Sequence, residues 1–313
     1  MSLSQSFDEL KKIKENGKLA GSWLISGAYG VGKSTLIRRF SSWLLTGKDE
    51  EISFHPNLKW VERGLTEEEK KDLIKSINDG KELDEKKEKN RSRKSEITVD
   101  EIREGLQFLS LTSLGDSWRI LVIDPADDMN ENAANALLKS LEEPPRNAII
   151  FLISHSVGRL LPTIRSRCRI LKVSPASDAQ MKAFIASYAP QIENPEMLLA
   201  LSMGSIGRCK ELIDGDGLSL YQTMLEMLEK NNILKMYAFC EKVCKDPNLY
   251  TLTKDLLSFY ISSIVKSSYP APETDFYLKV WEDAQTNFKD AENLNMDKKN
   301  MLLNIFFKLG RKK

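Results

Sequence analysis

Hydrophobic and polar positions fall into blocks that predict alternating strands and helices over the first half of the chain. Short, nearly continuous apolar runs are typical of strands buried on both faces of a parallel sheet. Such runs lie at 23–26, 55–61, 119–124 and 148–154. Helical spacing occupies the segments at 7–19, 34–45, 98–109 and 132–141. This alternation predicts an α/β fold with a parallel sheet.

The pattern changes after Val173-Ser174-Pro175, because no further strand follows and the rest consists of successive amphipathic helices. Gly215 and Gly217 interrupt that helical region. We therefore predict three domains: an α/β domain at 1–174, a small helical domain at 175–214 and a second helical domain at 215–313.

A charged stretch from about residue 65 to 96 separates two of the predicted strands. Acidic and basic residues interleave within it, which favours a solvated helix followed by a loop. A basic segment from Lys86 to Lys94 that contacts DNA is the alternative, and the sequence leaves the role of the stretch open.

Composition places the chain among ordinary folded proteins, with 41% hydrophobic and 29% charged residues in 313. A net charge of +1 gives no overall attraction to nucleic acid or to a membrane. No apolar run approaches the roughly 18 residues that a spanning helix needs. The four cysteines form no C-x-x-C pair, so we expect a reduced, cytoplasmic protein without a membrane contact.

The segment from Gly27 to Ser34 satisfies the phosphate-binding pattern G-x-x-x-x-G-K-[ST] in full. It follows an apolar strand and opens a helix, the context in which the pattern binds phosphate. Glycines let backbone N–H groups surround phosphate oxygens, and the helix N-terminus adds a positive dipole end. Lys33 is expected to reach the β- and γ-phosphates, and Ser34 to bind Mg²⁺. The sequence thus predicts an ATP–Mg²⁺ site at Gly27, Gly30, Gly32, Lys33, Ser34 and Thr35.

Asp124 ends the third predicted strand, where proteins with this loop place a carboxylate that holds Mg²⁺. ATPases of the AAA+ type usually follow that aspartate with a glutamate that polarises water. Pro125 stands there instead, and proline offers neither a base nor an N–H. We interpret Asp127 and Asp128 as caps of the next helix. These residues predict competence to bind nucleotide with little or no hydrolysis, and the sequence leaves open whether nucleotide is bound.

Three runs carry a family resemblance: Asp124-Pro125-Ala126-Asp127-Asp128-Met129-Asn130, Asn132 to Lys139 with Leu141-Glu142-Glu143-Pro144-Pro145, and Ser166-Arg167-Cys168. With them the chain resembles delta prime subunits of the bacterial DNA polymerase III clamp loader, an AAA+ family. The closely matched parts are 20–60 and 98–175. The resemblance implies that the three domains are an AAA+ domain, a helical lid and an all-α collar.

The resemblance also implies site residues and partners. In such subunits the arginine of Ser-Arg-Cys, here Arg167, reaches the γ-phosphate of ATP on a neighbouring subunit. It implies sensor positions at His155, with Ser154 as the alternative, and at Arg208. The partners would be gamma/tau and delta subunits in a hetero-pentamer of the DNA polymerase III holoenzyme. That assembly loads the sliding clamp onto primed DNA.

Two alternatives remain beside this hypothesis. A gamma/tau-type motor subunit is disfavoured by Pro125 and by the lack of any cysteine before Cys168, since those subunits normally carry a four-cysteine zinc module. We therefore expect no zinc. A nucleotide kinase would have a single α/β domain, which leaves the helical C-terminal third without a purpose.

Overall fold

The structure is a computed structural model that describes residues 2–78, 93–110, 117–192, 195–271, 273–293 and 297–310. It divides into two compact units, Met1–Ala176 and Ser177–Lys313. The segments expected to form a lid and a collar both lie in the second unit, so their separation near residue 215 stays a prediction.

The first unit is built from alternating strands and helices. Its strands are β1 (Gly21–Ser26), β2 (Leu58–Val61), β3 (Arg119–Ile123), β4 (Ala148–Ser154) and β5 (Arg169–Lys172). Its helices are α1 (Leu3–Glu15), α2 (Lys33–Thr46), α3 (Glu67–Asn78), α4 (Val99–Ser110), α5 (Glu131–Glu142) and α6 (Pro162–Arg165). Short 3₁₀ turns lie at Ala126–Asp128 and Val157–Arg159.

The strands form one sheet in the order β2-β3-β4-β1-β5, and every neighbouring pair is parallel. The predicted α/β fold with a parallel sheet is therefore confirmed. In the register of β1 and β4, Ser26 pairs with Ser154, and in that of β2 and β3, Val61 pairs with Ile123. The residues that follow these strands consequently meet at one edge of the sheet, the edge formed by the carboxyl ends of the parallel strands.

Alternate residues of the central strands enter two separate hydrophobic cores. Leu121 and Leu152 belong to the core that contains residues of α4 and α5. Val122 and Phe151 belong to the core that contains residues of α1 and α2. Burial on both faces explains why these strands appear in the sequence as continuous apolar runs.

Three elements differ from the sequence-based prediction. Strand β5 was not predicted, because it is a short edge strand whose two apolar residues, Ile170 and Leu171, lie between Arg169 and Lys172. Strand β2 begins at Leu58 rather than His55, since Leu58 N donates to His55 O in a turn. Helix α1 begins at Leu3, capped by a reciprocal pair of bonds between Ser2 and Gln5.

The predicted start of α4 near residue 98 is confirmed, since the helix begins at Val99. The Glu101 carboxylate accepts both the backbone N–H and the hydroxyl of Thr98, each at 2.6 Å. Lys94 adds an ion pair at 3.1 Å. Of the charged stretch, α3 is described and the solvated helix is confirmed to that extent, whereas residues 79–92, with most of the Lys86–Lys94 segment, lie outside the described residues.

The second unit is helical in all its described secondary structure. Its helices are α7 (Asp178–Tyr188), α8 (Glu196–Ser202), α9 (Ile206–Asp214), α10 (Gly217–Glu229), α11 (Ile233–Cys244), α12 (Pro247–Ser268), α13 (Thr274–Asn293) and α14 (Lys298–Gly310). Across the described ranges, no helix has the length and apolarity that crossing a membrane requires.

Candidate functional site

The phosphate-binding loop joins the carboxyl end of β1 to the first turn of α2. Gly30 has φ 72° and Gly32 has φ 93°, conformations that strain any residue with a side chain. A Cβ at Gly27 would overlap the carbonyl oxygen of Val173. The glycines of the pattern are therefore required by this backbone, which leads into the N-terminus of a helix and fits a phosphate group.

Lys33 lies under the loop with 3% of its surface exposed. Its Nζ donates to the carbonyl oxygens of Gly27 at 2.8 Å and Ala28 at 2.6 Å. Burial lowers the Lys33 pKa to about 8, against the opposing charges of Asp124 and Asp127. Since a buried ammonium is stabilised by an anionic partner, the loop suits a polyphosphate.

Ser34 and Asp124 form the pair that the sequence predicts as magnesium ligands. Ser34 Oγ donates to Asp124 Oδ2 at 2.6 Å, which joins the start of α2 to the end of β3. Burial raises the Asp124 pKa, while the hydrogen bond from Ser34 and the charge of Lys33 oppose that rise. A hydroxyl and a carboxylate are oxygen ligands that Mg²⁺ accepts, so this pair fits the ion of a bound ATP–Mg²⁺. Thr35 follows in the first turn of α2 and is half-buried.

Asp127 does not cap the next helix, so that interpretation of the sequence was wrong. Its carboxylate accepts the Ser154 hydroxyl at 2.8 Å and the backbone N–H groups of His155 at 2.5 Å and Ser156 at 3.2 Å. The cap of α5 is Asn130, whose side chain accepts the N–H of Ala133 at 2.9 Å.

The same correction applies to Asp128, which was also interpreted as a cap. Its carboxylate forms an ion pair with Arg63 at 3.1 Å. Both aspartates therefore act through tertiary contacts, which local sequence does not reveal.

His155 lies beside the phosphate-binding loop, and its role as a sensor stays a prediction. Its ring meets that of Tyr29 edge to face, with centroids 5.2 Å apart. Burial and the charge of Lys33 lower the His155 pKa. Its Nδ1 is buried and has no hydrogen-bond partner among the described residues. Ser154, the alternative sensor, is buried and already bonded to Asp127.

Glu62 was not singled out from the sequence, although it follows β2 at the same sheet edge as Asp124. Burial is the main cause of the raised Asp124 pKa, and the negative charge of Glu62 raises it further. The hydrogen bond from Ser34 opposes this rise. Arg93 pairs with it at 3.0 Å. The signal was available, because the residue after every parallel strand reaches this edge.

The side-chain contacts of Arg167 are with residues of α5 and α6 rather than with the phosphate-binding loop. Its Nε and Nη2 contact Glu142 Oε1 at 2.6 Å and 2.5 Å. Its Nη1 donates to the Thr163 carbonyl at 3.0 Å. The side chain is 31% exposed, so it can meet a group outside this chain.

Arg208 belongs to the second unit, at the start of α9. Its Nη2 donates to the backbone oxygen of Asp255 in α12 at 3.4 Å. Its Nε is buried without a hydrogen-bond partner among the described residues. Burial raises the Asp255 pKa, and the Arg208 charge opposes that rise. A sensor role for Arg208 stays a prediction.

No group of three or more His, Cys, Asp or Glu in the described part of the chain is arranged to hold a metal ion. The four cysteines are free thiols.

Residues 3–177 match the family model described as DNA polymerase III, delta subunit. The DNA polymerase III subunit delta' of Pseudomonas aeruginosa is 44% identical over 112 residues, which are 35% of this chain and 34% of that protein. The Bacillus subtilis subunit delta' is 32% identical over 206 residues, 64% of this chain and 56% of that protein. The subunit gamma of Buchnera aphidicola subsp. Schizaphis graminum is 30% identical over 250 residues, 77% of this chain and 61% of that protein.

These matches span between a third and three fifths of the relatives' own lengths. Among solved structures, a DNA polymerase III gamma subunit-related protein of Thermotoga maritima aligns with a TM-score of 0.55 at 17% identity. The alignment covers 98% of this chain and 99% of that one. At that identity the likeness shows the fold, a parallel α/β unit followed by a helical region, as expected from the sequence.

Proposed function

Because the chain belongs to the DNA polymerase III, delta subunit family, we propose that it is a delta prime-like clamp-loader subunit. In this role it hydrolyses little or no ATP and supplies Arg167 to ATP bound by a neighbouring subunit. Its partners are gamma/tau and delta subunits in a hetero-pentamer. Through that assembly it takes part in loading the sliding clamp onto primed DNA.

The observation that carries the proposal is that no residue between Asp124 and α5 is available as a base. Each carboxylate in this connection after Asp124 is already bonded to other residues of the chain. Pro125 has no base to offer. Asp127 accepts three hydrogen bonds from residues 154–156, so its oxygens are committed to the fold. Asp128 is paired with Arg63. ATP and Mg²⁺ would bind at Lys33, Ser34 and Asp124 without a nearby base from this connection.

Arg167 supports the second half of the proposal. An arginine presents five N–H groups, and three nitrogens of Arg167 each use one in the contacts with Glu142 and Thr163. One N–H on each Nη therefore remains outside these contacts. Such a planar fork suits a phosphate oxygen at the edge of a neighbour's site, where positive charge stabilises the transition state.

The test measures ATP affinity and turnover with the isolated chain, then turnover with the assembled loader. We expect the isolated chain to bind ATP–Mg²⁺ with turnover far below that of the motor subunit measured alongside. In the assembly, Arg167→Ala should lower hydrolysis at the adjoining site by about a thousandfold, since such arginines contribute that much or more.

The matched control is Arg146→Ala, which removes an exposed arginine from the turn before β4. It should leave turnover unchanged. Motor-like turnover by the isolated chain, or full activity of the assembly with Arg167→Ala, would contradict the proposal.

One observation favours the alternative of a gamma/tau-type motor subunit. Glu62 follows β2, the strand next to that of Asp124, where it could polarise water in place of the glutamate that Pro125 replaces. In that case the isolated chain would hydrolyse ATP, and Glu62→Gln would abolish the activity. The ion pair of Glu62 with Arg93 argues against this role.

A further inference from the structure

We propose that Glu142 is a positioning residue for Arg167, which orients the guanidinium toward the phosphate of a neighbouring subunit. This inference rests on the proposed function, because it deepens the role of Arg167. It concerns a contact between two half-exposed side chains that are 25 residues apart in the sequence.

The backbone that carries Arg167 is fixed on both sides. Ile164, one turn earlier, is fully buried, and the N–H of Arg167 donates to its carbonyl at 3.1 Å. Cys168, the next residue, packs against the same hydrophobic core. The Cα position of Arg167 is therefore set by the core, and only its long side chain needs further restraint.

Glu142 supplies that restraint from the end of α5. One oxygen, Oε1, lies 2.6 Å from Nε and 2.5 Å from Nη2 of Arg167. In addition, Nη1 donates to the Thr163 carbonyl at 3.0 Å. The guanidinium is thus held through all three of its nitrogens, and one N–H on each Nη remains for a further acceptor.

The place of Glu142 in its helix points to the same role. A carboxylate in the last turn of a helix faces the negative end of the helix dipole, where an acidic residue is disfavoured. The contact with Arg167 compensates for that position. The side chain of Glu142 is 51% exposed and that of Arg167 is 31% exposed. The pair therefore contributes little to the free energy of folding, because exposed ion pairs are weak.

A held arginine loses less rotamer freedom when it binds a phosphate than a free one does. Without Glu142 the side chain would sample other rotamers, and the fraction of time in which its remaining N–H groups face the neighbour would fall. Catalysis by an external arginine depends on such positioning, so the rate at the neighbour's site should depend on Glu142.

The experiment is a double-mutant cycle in the assembled loader, with partner subunits whose other ATP sites are inactivated. Glu142→Ala should lower kcat at the adjoining site about two- to fivefold and leave the KM for ATP unchanged. Glu142→Gln, which keeps an acceptor oxygen, should recover part of the loss. In the Arg167→Ala background, Glu142→Ala should have no further effect.

Glu143→Ala is the matched control, since this neighbouring glutamate is also exposed and makes none of the Arg167 contacts described here. Its turnover should equal that of the unmodified protein. The thermal unfolding of each variant in the full chain should also be unchanged.

Three outcomes overturn the inference. Unchanged kcat in Glu142→Ala removes Glu142 from the mechanism, and increased kcat shows that it sequesters the arginine instead. A further loss in the Arg167→Ala background places its effect elsewhere. If Arg167→Ala alone leaves turnover unchanged, the proposed function fails first, which separates the two failures.

Discussion

Asp127 Oδ2 accepts the backbone N–H of His155 at 2.5 Å, and this bond ties the turn after β3 to the end of β4. Both segments lie at the sheet edge that carries the phosphate-binding loop. The position of the His155 ring against Tyr29 therefore depends on the Asp127 carboxylate, which holds the backbone of His155.

We predict that Asp127→Ala destabilises the protein by about 1–3 kcal/mol, because it leaves three donors at residues 154–156 without their acceptor. Urea unfolding monitored by tryptophan fluorescence measures the change. Asp128→Ala serves as control, since it removes a partly exposed ion pair with Arg63 and should cost about 0–1 kcal/mol. Equal effects of the two substitutions would contradict this role of Asp127.

Lys33→Met should weaken ATP–Mg²⁺ binding about 10- to 100-fold, the loss expected for one charge-assisted hydrogen bond to phosphate. Isothermal titration calorimetry with the full chain gives the affinity. Lys12→Met, on the exposed face of α1, provides a control that should bind as the unmodified protein does. Unchanged affinity in Lys33→Met would mean that nucleotide does not bind through this loop.

The central strands and the phosphate-binding loop could be predicted because each depends on local sequence. Residues of β4 are buried along its whole length, which gives a continuous apolar run. The glycines at 30 and 32 carry the positive φ angles that the loop pattern requires. In both cases the residue types themselves report the structure.

Other features could not be predicted because they depend on tertiary contacts. Asp127 and His155 are 28 residues apart, and nothing in either segment indicates that the two meet. The pair of Arg167 and Glu142 spans 25 residues in the same way. Strand β5 escaped prediction because Arg169 and Lys172 limit its apolar run to two residues.

Glu101→Gln should reveal a pH-dependent cap on α4. Burial raises the Glu101 pKa, but the hydrogen bonds from Thr98 and Lys94 outweigh it and lower the pKa below 4.5 overall. A lowered pKa stabilises the fold above the unfolded value, and this contribution disappears as pH falls through the folded value. The variant should therefore be less stable by about 0.5–2 kcal/mol at neutral pH, with the difference shrinking below pH 4.5.

Urea unfolding of both proteins across the acid range measures that difference. Asp100→Asn is the control, because the one ion pair of this exposed neighbour among the described residues is with Arg103, at 3.7 Å. A Glu101→Gln effect that stayed constant through the acid range would show that its charge does not stabilise the cap.

Cys168 should resist alkylation in the folded chain, since burial raises the pKa of its thiol from 9.0 to about 12 and the thiolate is the reactive form. Iodoacetamide labelling at pH 8, followed by peptide mass spectrometry, should be much slower than in the urea-unfolded chain. A raised pKa favours the folded state fully below pH 9.0, and that contribution is lost as pH rises toward 12. Labelling should therefore accelerate in that window. Equal rates at pH 8 in folded and unfolded chains would show that the core does not bury Cys168, the residue next to Arg167.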